Sequence, residues 1–269
     1  MQRRWSVSST MRGTLALGTL ALGTAVLLAG CQSLPGWGND PLRAEPVVKS
    51  VHEPDCEGAN CANVNAAYLR FPDSPQLSAE LERRLFGLAS GLSDSPDGNA
   101  IGQATSFDVF ADQVFAASRS ARRSVPEMPG FEADLKAEVV ADHDDLLVIE
   151  LDGYLYSGGA HGMPLTSYMV IERNTQRVVD LDDMLLPGQR PAYEAALERA
   201  HRRWLQTDQA SGLSQLQWPF TTSDNAAPLN EGLAIKYQVY DLAPYAVGQP
   251  TLMIPYAELE GVVKPQYLP

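Results

Sequence analysis

Apolar residues recur every three or four positions in two segments of the first half of the chain, a pattern that predicts two amphipathic helices. The first segment follows Ser74 and Pro75, which suit the N-cap and the first position of a helix. Its apolar face consists of Leu77, Leu81, Leu85, Leu88 and Leu92. The second segment carries Phe107, Phe110, Val114 and Phe115 and ends in Arg119, Arg122 and Arg123. Cations suit the negative end of a helix dipole, so the arginines indicate a helix C-terminus.

After Leu135 the apolar period changes to two, which predicts β-strands. Residues 136–140 and 146–155 are expected to form one hairpin, and residues 166–172 and 177–181 a second. Pro191 then opens a helix, and strands at 233–240 and 251–254 precede a short helix near 256–263. This order predicts an α+β fold, an antiparallel sheet built from hairpins with helices packed on one face, preceded by a two-helix N-terminal part. That helical part spans residues 50–130, and the C-terminal α+β domain spans residues 131–269.

The N-terminus has the pattern of a lipoprotein export signal over residues 1–30. Three arginines precede an apolar run that ends in Leu28-Ala29-Gly30-Cys31, and the run is too short to span a bilayer comfortably. Cys31 is the predicted lipidation site, since its thiol can carry diacylglycerol. Gln32 follows it instead of the Asp that favours inner-membrane retention. We expect an outer-membrane anchor that faces the periplasm, followed by a flexible tether over residues 31–49, which is rich in Pro and Gly.

Charge excludes one class of partner. Removal of the signal takes away three arginines and no acidic residue, which leaves 17 Lys plus Arg against 33 Asp plus Glu, a net charge of −16. Such a balance argues against nucleic acid or an anionic lipid face as the main partner, and the field of the chain can steer cationic partners. Solubility alone is the alternative explanation of the acidity.

Cys56 and Cys61 form a C-x4-C pair, which an oxidising periplasm favours as a disulfide. The alternative is a metal site, for which only His52 lies near in the sequence. The disulfide is expected to hold the start of the fold in place, and no metal or other cofactor is predicted.

The segment 156–162, Tyr-Ser-Gly-Gly-Ala-His-Gly, sets three glycines around one imidazole at a strand end. Glycines there let the backbone turn tightly and bring amide groups toward a ligand. His161 can therefore either brace the turn or contact a ligand. The chain has neither the G-x-S-x-G nor the H-E-x-x-H motif, and His52, His143 and His201 occur in unrelated contexts.

Together with later motifs, this segment resembles the RsiV-type extracytoplasmic domain. That family occurs in lysozyme-sensing anti-sigma factors and as an accessory domain of PdaC-type peptidoglycan deacetylases. The resemblance covers about residues 50–265 and is specific in the C-terminal half. The segments that carry it are 157–162, 181–185, 230–233, 245–248 and 254–259.

The resemblance implies an α+β binding domain that has no catalytic residues of its own and is displayed outside the cytoplasmic membrane. Neither the transmembrane and sigma-binding segments of the anti-sigma factors nor a deacetylase domain is expected here, so those activities are not carried over. The candidate ligand-binding residues are Tyr156, Ser157, Gly158, Gly159, His161, Tyr240 and Tyr245. Tyrosines suit this role because they bury a large area and keep a polar tip.

Three functions remain open at this stage. The first is a non-catalytic envelope lipoprotein that binds a lysozyme-like cationic protein or a peptidoglycan fragment. The second is a cell-wall hydrolase that uses His161 with a carboxylate such as Asp144 or Asp152 as general base. The third is a structural lipoprotein of an envelope assembly.

Overall fold

The computed structural model describes residues 42–58, 60–90, 101–143 and 145–268. The predicted signal, the lipidation site Cys31, most of the tether, Leu92 and Asp144 lie outside these ranges. Six strands form the larger sheet, in spatial order β1 to β6. Their bounds are β1 Glu45–His52, β2 Asn63–Arg70, β3 Glu132–His143, β4 Leu146–Tyr156, β5 Met163–Glu172 and β6 Arg177–Val179. Neighbouring strands pair antiparallel except β2 and β3, which are parallel.

The first two strands differ from the expected helical N-terminal part. β1 begins at Glu45, so it occupies the end of the segment 31–49 that was predicted to be a tether. Every second residue of β1 is partly covered, and Val47 and Val51 pack against the main hydrophobic core. β2 then pairs with β3 across residues 63–67 and 132–136, so the predicted boundary at residue 130 separates neighbouring strands of one sheet.

The two helices predicted from leucine and phenylalanine spacing are present as α1, Pro75–Gly87, and α2, Phe107–Ser124. Pro75 opens α1, and the Ser106 hydroxyl accepts a hydrogen bond from the Val109 amide at the start of α2. Both helices bury their apolar faces on one side of the six-stranded sheet, where Phe86 stacks on Phe110. This contact between helices and sheet forms the first core.

A second, three-stranded sheet forms the other core. It consists of β7 Ala226–Leu229, β8 Gly232–Lys236 and β9 Thr251–Ile254, all antiparallel. The short helix α3, Leu181–Met184, precedes α4, Arg190–Trp204, and α4 packs on β9. The fold is α+β as predicted, with helices on one face of the larger sheet. Sequence reasoning did not anticipate β7 or the separation of the C-terminal strands into a sheet of their own.

A β-bulge decides how the two sheets meet. The register of β3 against β4 shifts between Val139 and Ala141, which turns Ala141 toward the second core. Leu146, Val148 and Val170 face the same core, so the smaller sheet covers that end of the larger one. The rest of this face, here called the open face, has no strand or helix packed on it in the part of the chain that the structure describes. It is lined by Val48, Ser50, Asn65, Ala67, Leu69, Glu132, Asp134, Lys136, Glu138, Asp152 and Tyr154.

The predicted disulfide between Cys56 and Cys61 is present, with the two Cα atoms 5.6 Å apart. A buried ion pair fixes its loop to α2, because Arg122 donates to both carboxylate oxygens of Glu53 at 2.6 and 2.7 Å. Arg122 also donates to the Asn60 carbonyl at 2.7 Å. The disulfide therefore closes the loop between β1 and β2, and the Arg122 hydrogen bonds hold that loop against the end of α2.

Candidate functional site

A tight turn joins β4 to β5 and carries the glycine-rich segment. Gly158 and Gly159 adopt φ values of 101° and 87°, a region that favours glycine because a side chain would be strained there. The Tyr156 hydroxyl donates to the Gly159 carbonyl at 3.2 Å, and Ser157 lies half-buried between the strand and the turn. The three-glycine pattern thus marks a real turn.

The third glycine is required by a close approach. A Cβ atom at Gly162 would lie 2.4 Å from the Tyr154 ring. The Gly162 amide donates to the Tyr154 hydroxyl at 3.1 Å, which places the end of the turn directly against β4. This contact sets the position of the preceding residue, His161.

His161 is exposed and lies against two tyrosines from a distant part of the chain. Its ring is nearly parallel to that of Tyr245, with the centroids 3.8 Å apart and the planes inclined by 22°. The Tyr240 hydroxyl lies 3.5 Å from His161 Nε2, and the Tyr240 and Tyr245 rings are 5.9 Å apart. These three residues form what we call the aromatic cluster.

Hydrogen bonds to one carbonyl fix the cluster. Tyr245 donates to the Gly162 carbonyl oxygen at 2.9 Å, and His161 Nδ1 lies 3.1 Å from the same oxygen. Since the imidazole is both braced by the turn and exposed, the two roles left open for His161 are compatible. All seven predicted ligand-binding residues therefore lie on or beside one turn: Tyr156, Ser157, Gly158, Gly159 and His161 belong to it, and Tyr240 and Tyr245 lie against it.

The segment that follows β8 carries the tyrosines to this turn. The Gln238 side chain pairs with the backbone of β5 like a short strand, because its Nε2 donates to Thr166 O at 2.6 Å and its Oε1 accepts from Thr166 N at 3.2 Å. The backbone then leaves the extended conformation, since Tyr240 adopts φ 72°. That region is unusual for a bulky residue and is typical of binding sites. The predicted strand 233–240 accordingly ends at Lys236.

Two further polar residues, which sequence reasoning missed, tie the sheets together beside the cluster. Asn225 Oδ1 accepts from the Tyr168 amide at 2.7 Å, and its Nδ2 donates to the Lys236 carbonyl at 2.9 Å. The Lys236 ammonium binds Glu150 and lies 3.1 Å from Asp152. Asp152, a candidate general base in the hydrolase hypothesis, is thus paired with a lysine. Asn225 and Lys236 have a weak sequence signal, since single polar residues near short strands are common.

No group of three or more His, Cys, Asp or Glu side chains is placed to hold a metal ion among the described residues. Among the helices that the structure describes, none has the length and apolar character needed to cross a membrane.

Comparisons with known proteins show the family to which the chain belongs. A family model described as a protein of unknown function (DUF3298) matches residues 182–257, which include Tyr240 and Tyr245. The solved structure of a DUF3298 family protein from Pseudomonas aeruginosa is 34% identical, with a TM-score of 0.69 over 86% of this chain and 98% of the other. A DUF3298 structure from Bacteroides fragilis shares the fold, at 20% identity and a TM-score of 0.57 over 84% of this chain and 95% of the other. A comparison with curated proteins finds no match. With a relative this similar aligned over most of both chains, the protein belongs to the DUF3298 family.

Proposed function

We propose that this protein is a non-catalytic, RsiV-type binding lipoprotein, anchored in the outer membrane through Cys31 and facing the periplasm. Its ligand is a lysozyme-like cationic protein or a peptidoglycan fragment. The observation that carries the proposal is the aromatic cluster, in which exposed His161 stacks on Tyr245 at 3.8 Å beside Tyr240.

The geometry of the cluster supports binding. Exposed aromatic rings held in place by hydrogen bonds contribute contact area with little loss of conformational entropy when a ligand binds. The two ring nitrogens of His161 lie near a carbonyl oxygen and a phenol, which suits a bracing and contacting role. The resemblance of segments 157–162 and 245–248 to the RsiV-type domain supports the same role.

The acidic character of the chain supports a cationic ligand. A net charge of −16 after signal removal can raise the association rate of a basic protein by a factor of about 10 to 1,000 at low salt. A peptidoglycan fragment would use the aromatic rings, which can stack on the apolar faces of sugars.

Calorimetry on the full chain in detergent, titrated separately with lysozyme and with purified muropeptides, tests the proposal. We expect heat with at least one ligand, and loss of that heat in Tyr245→Ala, which removes the stacking partner of His161. Tyr193→Phe serves as a matched control because that tyrosine is buried in the second core. The absence of heat with both ligands would remove the proposal, as would turnover of wall material by the purified protein.

A further inference from the structure

The open face is a broad and partly apolar surface. Val48 on the edge strand β1 is 79% exposed and Tyr154 on β4 is 36% exposed, so the face presents apolar atoms to solvent. They line a shallow groove of about 410 Å³, which adjoins a second of about 440 Å³ that extends to Leu69. A wide, shallow surface fits a macromolecular partner better than a small ligand, which is usually enclosed.

Hydrogen bonds between side chains hold the polar part of this face in one arrangement. The Ser50 hydroxyl donates to Asn65 Oδ1 at 2.6 Å, and Asn65 Nδ2 donates to Asp134 Oδ1 at 2.8 Å. Tyr154 lies directly opposite Asp134 in the register of β3 and β4. Because these groups are ordered without a partner, binding would cost little further entropy.

The charge of the open face is negative. Five carboxylates and two ammonium groups lie on it or reach it: Glu132, Asp134, Glu138, Glu150 and Asp152, with Lys136 and Lys236. Lys136 binds Glu138 at 2.7 Å, and Lys236 binds Glu150 and Asp152. Two of the three excess negative charges are therefore on Asp134 and Glu132, beside the exposed apolar residues, and the third is on the Glu150 and Asp152 pair that shares Lys236.

The extent of the open face can be judged from strand geometry. Four strands spaced ~4.8 Å apart and eight residues long present roughly 400 Å². A stable protein interface buries about 800 Å² on each partner, so the face supplies about half of one. The aromatic cluster adjoins it, since Tyr154 lines the groove and its hydroxyl accepts from the Gly162 amide.

We propose that the open face is the docking surface for a basic protein. The partner sets lysine or arginine side chains against Asp134 and Glu132 and apolar atoms against Val48, while the aromatic cluster contacts it at the margin. This inference rests on the proposed function and selects the protein ligand over the peptidoglycan fragment, because a muropeptide, whose carboxylates outnumber its amino groups, is not attracted by the excess negative charge.

The test uses lysozyme as the basic probe and the full chain in detergent. The double variant Glu132→Gln/Asp134→Asn removes two charges and keeps the shape of both side chains. We expect its affinity for lysozyme to fall by about tenfold at low salt, with a flatter dependence on salt concentration. Glu198→Gln is the matched control, because this exposed glutamate lies on α4 and its loss of charge should leave the affinity unchanged.

Two results would overturn the inference. One is wild-type affinity and salt dependence in the double variant, and the other is the absence of lysozyme binding by the wild-type chain. If lysozyme does not bind while muropeptides bind and Tyr245→Ala abolishes that binding, the docking surface is wrong and the proposed function stands. If neither lysozyme nor muropeptides bind, both the docking surface and the proposed function are wrong.

Discussion

Gly162 approaches Tyr154 so closely that a single added methyl group at Gly162 would lie 2.4 Å from the tyrosine ring. The same pair is joined by the hydrogen bond from the Gly162 amide to the Tyr154 hydroxyl. The contact connects the open face to the aromatic cluster, since Tyr154 belongs to the first and Gly162 adjoins His161 in the second.

We expect Gly162→Ala to destabilise the fold by about 1–3 kcal/mol through overpacking and to displace His161 from Tyr245. Urea unfolding monitored by the fluorescence of tryptophan, of which Trp204 is buried in the second core, measures the free energy of unfolding. In a Gly162→Ala/Tyr154→Ala double variant, the added cost of the Gly162 change should largely disappear, because the colliding ring is gone. Gly159→Ala is the control. Its cost of about 1 kcal/mol comes from a positive φ and should persist in the Tyr154→Ala background. Equal costs of Gly162→Ala in both backgrounds would contradict the steric explanation.

The ion pair of Glu53 and Arg122 should contribute strongly to stability. Arg122→Ala leaves a carboxylate that is 2% exposed without its main partner, so we expect a loss of about 3–5 kcal/mol. Arg123→Ala removes an exposed arginine next to it and should change the free energy of unfolding by less than about 0.5 kcal/mol. Chemical denaturation at neutral pH compares the two variants. Similar stabilities would show that the pair does not stabilise the fold.

The same pair predicts a loss of stability in acid. Burial alone raises the pKa of Glu53, but the Arg122 and Ala62 hydrogen bonds and the Arg122 and Arg119 charges lower it below 4.5 overall. Its contribution is therefore present above about pH 4.5 and is lost as the pH falls through the lower folded-state pKa. Thermal unfolding between pH 3 and 7 should show a smaller acid loss in Glu53→Gln than in the wild type. Parallel curves would exclude Glu53 as the source.

His201 predicts a second, separate pH effect. Its ring is fully buried between Trp204 and Phe220, and neither ring nitrogen has a hydrogen-bond partner among the described residues. Burial lowers the pKa of His201 below 6.5, and Arg202 lowers it further, while Glu198 acts in the opposite direction. The neutral His201 ring therefore does not reduce the free energy of unfolding above about pH 6.5. That free energy falls as the pH drops from there toward the folded-state pKa of His201.

We expect His201→Phe to remove this fall, since phenylalanine keeps the stacking and cannot be protonated. His52→Gln is the control for the loss of an imidazole, because that histidine is exposed on β1. The free energy of unfolding of both variants and the wild type, measured at intervals from pH 5 to 8, tests this prediction. A slope retained in His201→Phe would place its origin elsewhere.

Reduction of the disulfide should have a modest effect. The loop closed by Cys56 and Cys61 is short, so the bond is expected to stabilise the fold by about 2 kcal/mol. Replacing both cysteines by alanine should lower the midpoint of urea unfolding and abolish its sensitivity to a reducing agent. A wild-type midpoint that does not change on complete reduction would contradict a stabilising role.

The lipid anchor is tested by Cys31→Ser. We expect the wild type to label with palmitate and to sediment with outer membranes, because several acyl chains at ~0.8 kcal/mol per buried methylene hold a protein on a bilayer. The variant should lose the label and appear in the soluble fraction. A variant that still labels and stays with the membrane would rule out Cys31 as the lipidation site.

The sequence predicted those helices and strands in which apolar residues recur at the regular spacing of the element itself. The leucines of α1, the phenylalanines of α2 and the alternation along β3 each specify a buried face without reference to distant residues. The glycine turn and the disulfide were predictable for the same reason, since both depend on residues close in sequence. Of the two tyrosines of the cluster, Tyr245 lies in a segment that carries the family resemblance, and Tyr240 was proposed from the suitability of tyrosine as a contact residue.

Pairing between residues distant in the sequence determined β1, β2 and the end of β8. β1 and β2 carry weak patterns and become strands because β2 finds a parallel partner in β3, which follows both helices in the chain. The strand β8 was predicted to continue to Tyr240, but it ends at Lys236. The Gln238 side chain then pairs with the Thr166 backbone of the other sheet, and the backbone turns at Tyr240.

Sequence alone determined the two helices, the hairpins, the turn at His161 and the acidic character of the chain, because each is a property of neighbouring residues or of composition. Only the tertiary structure decided that His161 meets Tyr245 and that one end of the larger sheet is covered while the other is open. Both depend on how the two sheets pack. The free energy of that packing comes from contacts between residues far apart in the sequence, which a local pattern does not predict.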